Sequence, residues 1–150
     1  MLAALLVSLL ICSVTVFMHM AGLVLLMAFM RARSGHIRPQ DNVLRQTGFI
    51  MLVVFGLFAI HAAEIWAYAV LYMALGEFAT FEASLYFATS TFTTLGYGDI
   101  LLGEQWRLVG AIEGFNGFLL IGWSTAFLVS LIGRLRAIEF DWLDHHLDGD

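Results

Sequence analysis

The chain has 150 residues, of which 61% are hydrophobic, 14% aromatic and only 13% charged. A mean hydropathy of +0.87 excludes an ordinary soluble domain and places the chain in a lipid bilayer. The net charge is −5, with seven arginines and no lysine, and no basic patch of the kind that binds nucleic acid is present.

The first predicted element is a transmembrane helix over residues 1–30. This stretch contains no formally charged side chain and one ionisable one, His19. Thirty residues at 1.5 Å each span about 45 Å, which crosses a bilayer with some tilt. Because its start lacks basic residues, we interpret it as a retained helix rather than a secretory signal. A pore does not require this helix, so we expect it to pack outside the assembly or to contact another membrane subunit.

A basic connection is predicted over residues 31–46. It holds the only proline and four of the seven arginines, and two more arginines directly follow the last predicted span. Only Arg107 lies on the opposite side. The positive-inside rule therefore places this loop and the C terminus in the cytoplasm and the N terminus outside.

The second predicted span covers residues 47–75 and carries two ionisable side chains, His61 and Glu64. Their spacing of three residues puts them on one helix face. Two such ligands alone make a weak metal site. We therefore expect these side chains to pair with each other or with a neighbouring backbone group.

A shorter segment, residues 76–107, separates the second span from the third. It predicts a short helix over residues 81–93, with Thr80 as its cap and Glu82 in its first turn. This helix enters from the outside, stops partway, and is followed by Thr94-Leu95-Gly96-Tyr97-Gly98-Asp99. Glycine-rich, non-helical backbone at membrane depth must line a polar path. A ring of backbone carbonyls there can replace the hydration shell of a potassium ion.

The third predicted span covers residues 108–133 and is followed by an acidic tail over residues 137–150. The tail contains two adjacent histidines, but its spacing matches no calcium loop, so we interpret it as a solvated segment. Glu113, in the second turn of the span, is expected to accept hydrogen bonds from hydroxyls of the short helix such as that of Ser90. No span carries regularly spaced arginines, so only weak voltage dependence is expected.

The segment Thr-Thr-Leu-Gly-Tyr-Gly-Asp, set after a short helix and between two spans, resembles the pore domain of potassium channels over roughly residues 47–136. The resemblance implies an all-α membrane protein with three transmembrane helices, a re-entrant pore helix and a filter loop, assembled as a tetramer around a central pore. It implies passive K⁺ conduction across the cell membrane by a homotetramer. It implies neither enzymatic activity nor a cofactor beyond the transported ion.

Residue roles follow from the resemblance and from spacing. The ion-binding filter comprises Thr94, Leu95, Gly96, Tyr97 and Gly98, with K⁺ at the oxygens of the first four and Asp99 at the outer mouth. Filter support is assigned to Tyr86, Phe87, Ser90 and Glu113. Phe118, Ile121 and Thr125 share one helix face and are assigned to the cavity lining. Gly117 is the candidate gating hinge, with close helix packing as its alternative role.

Three local features refine these assignments. Gly96 and Gly98 allow positive φ, and so an alternating backbone whose oxygens all face one axis. Many relatives carry two tryptophans behind the filter where this chain has Tyr86 and Phe87. Some place a carboxylate where it has Ser90. Both departures bear on the stability of the filter rather than on its selectivity.

Other functions compete with a potassium channel. The chain is alternatively a cation channel of relaxed K⁺/Na⁺ selectivity, or an accessory subunit of a hetero-oligomeric channel that contacts other subunits through residues 1–30. A membrane-anchored metalloenzyme using His61, Glu64 or the tail histidines is a third alternative, and it leaves the glycine-rich segment unexplained.

Overall fold

The computed structural model describes the backbone of residues 1–34 and 43–147, and the side chains of residues 1–32 and 47–133. Residues 35–42, inside the predicted basic loop, and residues 148–150, at the end of the predicted acidic tail, lie outside the described residues.

Within these ranges the chain is all-helical and contains no strand. The four helices are α1 (Leu2–Ser34), α2 (Val43–Ala74), α3 (Phe81–Phe92) and α4 (Arg107–Leu147). Three of them are long and apolar enough to cross a membrane, over Leu2–Ala32, Thr47–Ala74 and Arg107–Gly133. The predicted all-α membrane fold with three spans and one short helix is confirmed.

The helices extend beyond the predicted spans at three ends. α1 continues from residue 30 to Ser34, α2 begins at Val43 inside the predicted loop, and α4 runs to Leu147 through most of the predicted acidic tail. Hydropathy marks the part of a helix that matches the bilayer. The backbone hydrogen bonds propagate further wherever the flanking residues are good helix formers, as arginine, leucine and glutamate are.

The short helix α3 begins as predicted. The Thr80 side chain accepts a hydrogen bond from the Ala83 amide at 3.2 Å, and Glu82 lies in the first turn. The cap satisfies one of the free amides at the helix start, and the carboxylate faces the positive end of the helix dipole.

The core lies where α3 contacts both α2 and α4. Its largest fully buried side chains include Tyr68 and Tyr72 of α2 and Phe92 of α3. Helix α1 runs antiparallel to α2 and packs closely against it. A Cβ on Gly22 would lie 2.7 Å from Ile60 Cγ1, and one on Gly56 would lie 2.8 Å from Leu26 Cδ1. Two small residues thus let these helices approach each other, as is common in bilayers.

Candidate functional site

Residues 94–99, here called the filter segment, are hydrogen-bonded to a single residue of α3. The amides of Leu95 and Gly96 donate to the Ser90 carbonyl at 2.9 and 3.0 Å. The next amide, of Tyr97, donates to the Ser90 hydroxyl at 3.3 Å. Three successive amides are therefore directed toward one serine, and its role in supporting a filter stays a prediction.

The backbone of the filter segment alternates in conformation. Thr94, Gly96 and Gly98 all have positive φ, at 61°, 54° and 75°. The predicted positive φ of the two glycines is confirmed. Every second residue therefore lies in the left-handed region, which turns successive peptide units in a regular way.

Thr94 adopts this conformation without being a glycine, and sequence reasoning did not anticipate it. Its amide donates to the Thr91 carbonyl at 2.9 Å, while the Leu95 amide reaches back to Ser90. This pair of bonds is the Schellman arrangement, in which the residue after the helix cap takes a left-handed conformation. The helix end thus sets the conformation at which the filter segment begins, at a cost of about 1–2 kcal/mol for a side-chain-bearing residue.

The carbonyl oxygens of the filter segment behave differently from its amides. Within the described part of the chain, the carbonyls of Thr94, Leu95, Gly96 and Tyr97 accept no hydrogen bond. All of residues 93–99 are exposed, Tyr97 at 66%. Backbone carbonyls at membrane depth need water, an ion or another polar group as partner. The segment therefore offers a row of oxygens suited to binding a dehydrated cation.

The outer end of the filter segment is fastened by Tyr86, whose hydroxyl donates to Asp99 Oδ2 at 2.8 Å. The sequence assigned Tyr86 to filter support, and its observed partner is the carboxylate at the end of the segment. This hydrogen bond to a carboxylate raises the pKa of Tyr86. Because the ordinary value is already about 10, the hydroxyl stays protonated at neutral pH. The bond is lost only as the pH rises through that raised pKa.

The other two assigned support residues are Phe87 and Glu113. Both contact Tyr72 of α2 rather than the filter segment. The Phe87 ring packs on Tyr72 and Phe78, each with a centroid separation of 5.3 Å. Glu113 Oε2 accepts from the Tyr72 hydroxyl at 2.6 Å, so its partner is not the expected hydroxyl of α3. The Ser90 hydroxyl instead accepts from the Tyr97 amide, and the hydrogen bond to Glu113 comes from the Tyr72 phenol of α2.

Glycines of α4 provide the surface on which α3 rests. A Cβ on Gly117 would overlap the Phe92 carbonyl, with only 2.8 Å to its carbon atom, and one on Gly114 would lie 3.4 Å from the Thr91 carbonyl oxygen. Close packing against the end of α3 is therefore sufficient reason for glycine at position 117. The hinge remains a prediction.

The three residues assigned to the cavity lining differ in exposure. Phe118 is 64% exposed and Thr125 is exposed, whereas Ile121 is half-buried and packs against the core. Phe118 and Thr125 thus lie on a face of α4 that the described part of the chain leaves uncovered.

A polar stripe on α1 was not identified from the sequence. Ser8, Cys12, Thr15 and His19 repeat at intervals of four, three and four residues. The last two of them are fully buried. Thr15 accepts from the Asn116 amide at 2.8 Å, and the same amide reaches Tyr68 at 3.0 Å. The periodicity of small polar residues in an apolar helix was the available signal.

The expected pairing of His61 with Glu64 is confirmed at 2.8 Å. The structure adds His19 of α1, whose Nδ1 lies 2.8 Å from the other carboxylate oxygen. Because His19 lies on a separate helix, 45 positions from Glu64, no local spacing in the sequence reveals this contact.

Comparison with known proteins gives one match. The sequence model of the ion channel family matches residues 60–134, which is half of the chain. The matched region begins within α2 and includes α3, the filter segment and the membrane-spanning part of α4. No curated protein and no solved structure matches the chain.

Proposed function

The chain belongs to the ion channel family, in the class of two-span potassium-channel pores, and from that premise we propose that it conducts K⁺ passively through a homotetrameric, potassium-selective pore. The observation that carries the proposal is the different hydrogen bonding of the amides and the carbonyls in the filter segment. The amides of residues 95–97 are bonded to Ser90, while the carbonyls of residues 94–97 accept no hydrogen bond from the described residues.

Several copies of the chain are needed to complete such a site. Oxygens on one strand of backbone contact an ion from one side only, whereas loss of the hydration shell requires oxygens all around it. The sequence contains no internal repeat, so the remaining walls come from identical subunits. The exposure of Tyr97 and Phe118 in the single chain supports an assembly that covers them.

The charges near the filter segment favour a cation. Four carboxylates, those of Glu77, Glu82, Asp99 and Glu104, lie on the proposed outer side. Glu77 has a structural task, because it accepts from the Gly103 amide at 2.6 Å. Asp99 directly follows Gly98 in the chain, and repeated in four subunits it concentrates cations at the mouth.

The proposed orientation places the N terminus outside, and both the basic loop and the C terminus in the cytoplasm of a cell membrane. Six of the seven arginines support this orientation. The polar stripe of α1 faces inward, while Leu6, Phe17 and Leu25 remain more than half exposed. Such a surface suits lipid, so we place α1 on the outside of the tetramer without requiring a second kind of subunit.

Flux from liposomes tests the proposal. Purified chain is reconstituted into vesicles with an outward K⁺ gradient and a proton ionophore, and dye quenching reports the compensating proton entry. We expect K⁺ flux, block by Ba²⁺, and little flux under a matched Na⁺ gradient, with protein-free vesicles as the control. Equal K⁺ and Na⁺ flux would establish the relaxed-selectivity alternative. A purified chain that forms no tetramer would favour an accessory subunit.

A further inference from the structure

Three side chains with metal-binding atoms converge where α1 and α2 pack together. They are His19 of α1 and His61 and Glu64 of α2, and their ligand atoms all lie within 4.8 Å of one another. His19 and Glu64 are fully buried, and the His61 side chain is 15% exposed. None of the three residues is among those assigned to the filter or to its support.

The Glu64 carboxylate lies between the two histidines and contacts one with each oxygen. Glu64 Oε1 lies 2.8 Å from His19 Nδ1, and Glu64 Oε2 lies 2.8 Å from His61 Nδ1. The other nitrogen of His61 lies 3.0 Å from the Ser124 hydroxyl of α4. A histidine that binds a metal through one nitrogen is commonly oriented by a hydrogen bond at the other. His61 already has that arrangement.

Hydrogen bonds between these side chains do not by themselves neutralise the buried Glu64 carboxylate. Among the described residues, the cationic groups within ion-pair distance of the buried Glu64 are the two imidazoles. A buried carboxylate needs a full counter-charge, and an imidazole supplies positive charge only when it is protonated. A divalent cation would supply the missing positive charge.

We propose that His19, His61 and Glu64 form a Zn²⁺ site that clamps α1 to the pore domain. Zinc binds imidazole nitrogen at about 2.0–2.1 Å and carboxylate oxygen at about 2.0–2.2 Å, usually with tetrahedral geometry. Ligand atoms in such a site are roughly 3.3 Å apart. The three ligand atoms, which lie within 4.8 Å of one another, therefore shift to that spacing when zinc binds. Water takes the fourth position.

The site explains how an additional helix is fastened to the pore. His19 lies outside the region matched by the ion channel family, whereas His61, Glu64 and Ser124 lie inside it. Zinc would thus join α1 to α2 directly, and to α4 through the Ser124 hydroxyl.

Metal binding by the purified full-length chain tests this proposal without reference to conduction. The protein is stripped with chelator and dialysed against Zn²⁺, and bound metal is measured by elemental analysis. Co²⁺ substitution then reports coordination through its visible spectrum. We expect one Zn²⁺ per chain, the intense absorption of tetrahedral Co²⁺, and a higher Tm with zinc.

Variants separate this site from other binding. His19→Ala and Glu64→Gln should weaken zinc binding at least 100-fold, and Ser124→Ala should weaken it about 10- to 100-fold at unchanged stoichiometry. Asn116→Ala removes another buried polar contact between α1 and α4, and should retain zinc. His145→Ala/His146→Ala removes the adjacent tail histidines and should also retain it.

Two results would overturn the proposal. One is wild-type protein that binds no zinc at saturation or gives only the weak Co²⁺ spectrum of octahedral coordination. The other is zinc binding that persists in Glu64→Gln but disappears with the tail histidines. If His19→Ala fails to fold, the Co²⁺ spectrum of the wild type still decides the outcome.

Discussion

Ser90 is the residue on which the geometry of the filter segment most depends. Its carbonyl and hydroxyl together accept the amides of Leu95, Gly96 and Tyr97. The carbonyl contacts belong to the backbone and survive any substitution, whereas the hydroxyl contact can be removed alone.

Ser90→Ala removes the bond to the Tyr97 amide, a loss of about 1 kcal/mol per subunit. We expect channels that assemble normally but lose K⁺ selectivity or inactivate faster, as measured in planar bilayers. Ser84→Ala is the matched control. It removes a buried hydroxyl of the same helix, which donates to the Ala69 carbonyl at 2.6 Å, and it should lower stability without altering selectivity. Equal effects of both variants on selectivity would remove the special role of Ser90.

The positive φ of Gly98 gives a second test at the same scale. Gly98→Ala forces a side chain into a left-handed conformation, at a cost of about 1–2 kcal/mol in each subunit. We expect K⁺ flux to vanish while the tetramer persists on size-exclusion chromatography. Gly76 has almost the same φ, 74° against 75°, but lies in the turn after α2, so Gly76→Ala should conduct. Normal flux through Gly98→Ala would refute the filter assignment.

For single residues, the sequence predicted the features that depend on local backbone conformation. It did not predict the side-chain partners, which depend on contacts between distant parts of the chain. The left-handed glycines followed from the known conformational freedom of glycine. The bond between Tyr86 and Asp99 required knowing how the chain returns after the filter segment. The same holds for Glu113, whose phenol partner lies 41 positions away in α2.

Among the elements, the contact between α3 and α4 positions the filter segment. Gly114 and Gly117 let α4 lie directly on the last turn of α3. The end of that turn supplies the Schellman arrangement at Thr94, so a displacement of α3 is transmitted to the first filter residue.

Gly117→Ala distinguishes packing from hinge bending. Under packing, the added Cβ meets the Phe92 carbonyl, and overpacking of this kind costs about 1–3 kcal/mol. We therefore expect a lower Tm and weaker tetramers. Gly122→Ala is the control, because nothing lies within 4 Å of its Cβ, and it should keep or slightly raise stability. A Gly117→Ala channel of normal stability but altered open probability would instead establish the hinge.

The elements themselves were largely predictable, because apolar stretches of bilayer length and a capped short helix are local signals. Their ends were less so, since hydropathy reports the membrane rather than the helix. The docking of α1 through Thr15 and His19 was not predicted. The partners of these two side chains, Asn116 and Glu64, lie on other helices and are brought close only by the fold.

For the whole molecule, the arginine distribution predicts an orientation that labelling tests. In a Cys12→Ala background, a cysteine replacing the exposed Glu104 should react with an impermeant reagent applied from outside. A cysteine replacing Arg33 should react only from the cytoplasmic side. Glu104 suits this test better than Glu77, whose carboxylate binds the Gly103 amide. The opposite pattern of labelling would reverse the proposed topology.

The central claim is that filter carbonyls from several copies of this chain select K⁺. The reversal potential of purified channels in a planar bilayer, with K⁺ on one side and Na⁺ on the other, tests it most directly. Each tenfold permeability ratio shifts this potential by about 59 mV. For a potassium-selective pore we expect the reversal potential to shift by at least that amount in the direction set by K⁺. A reversal potential near zero, from channels that conduct well, would contradict it.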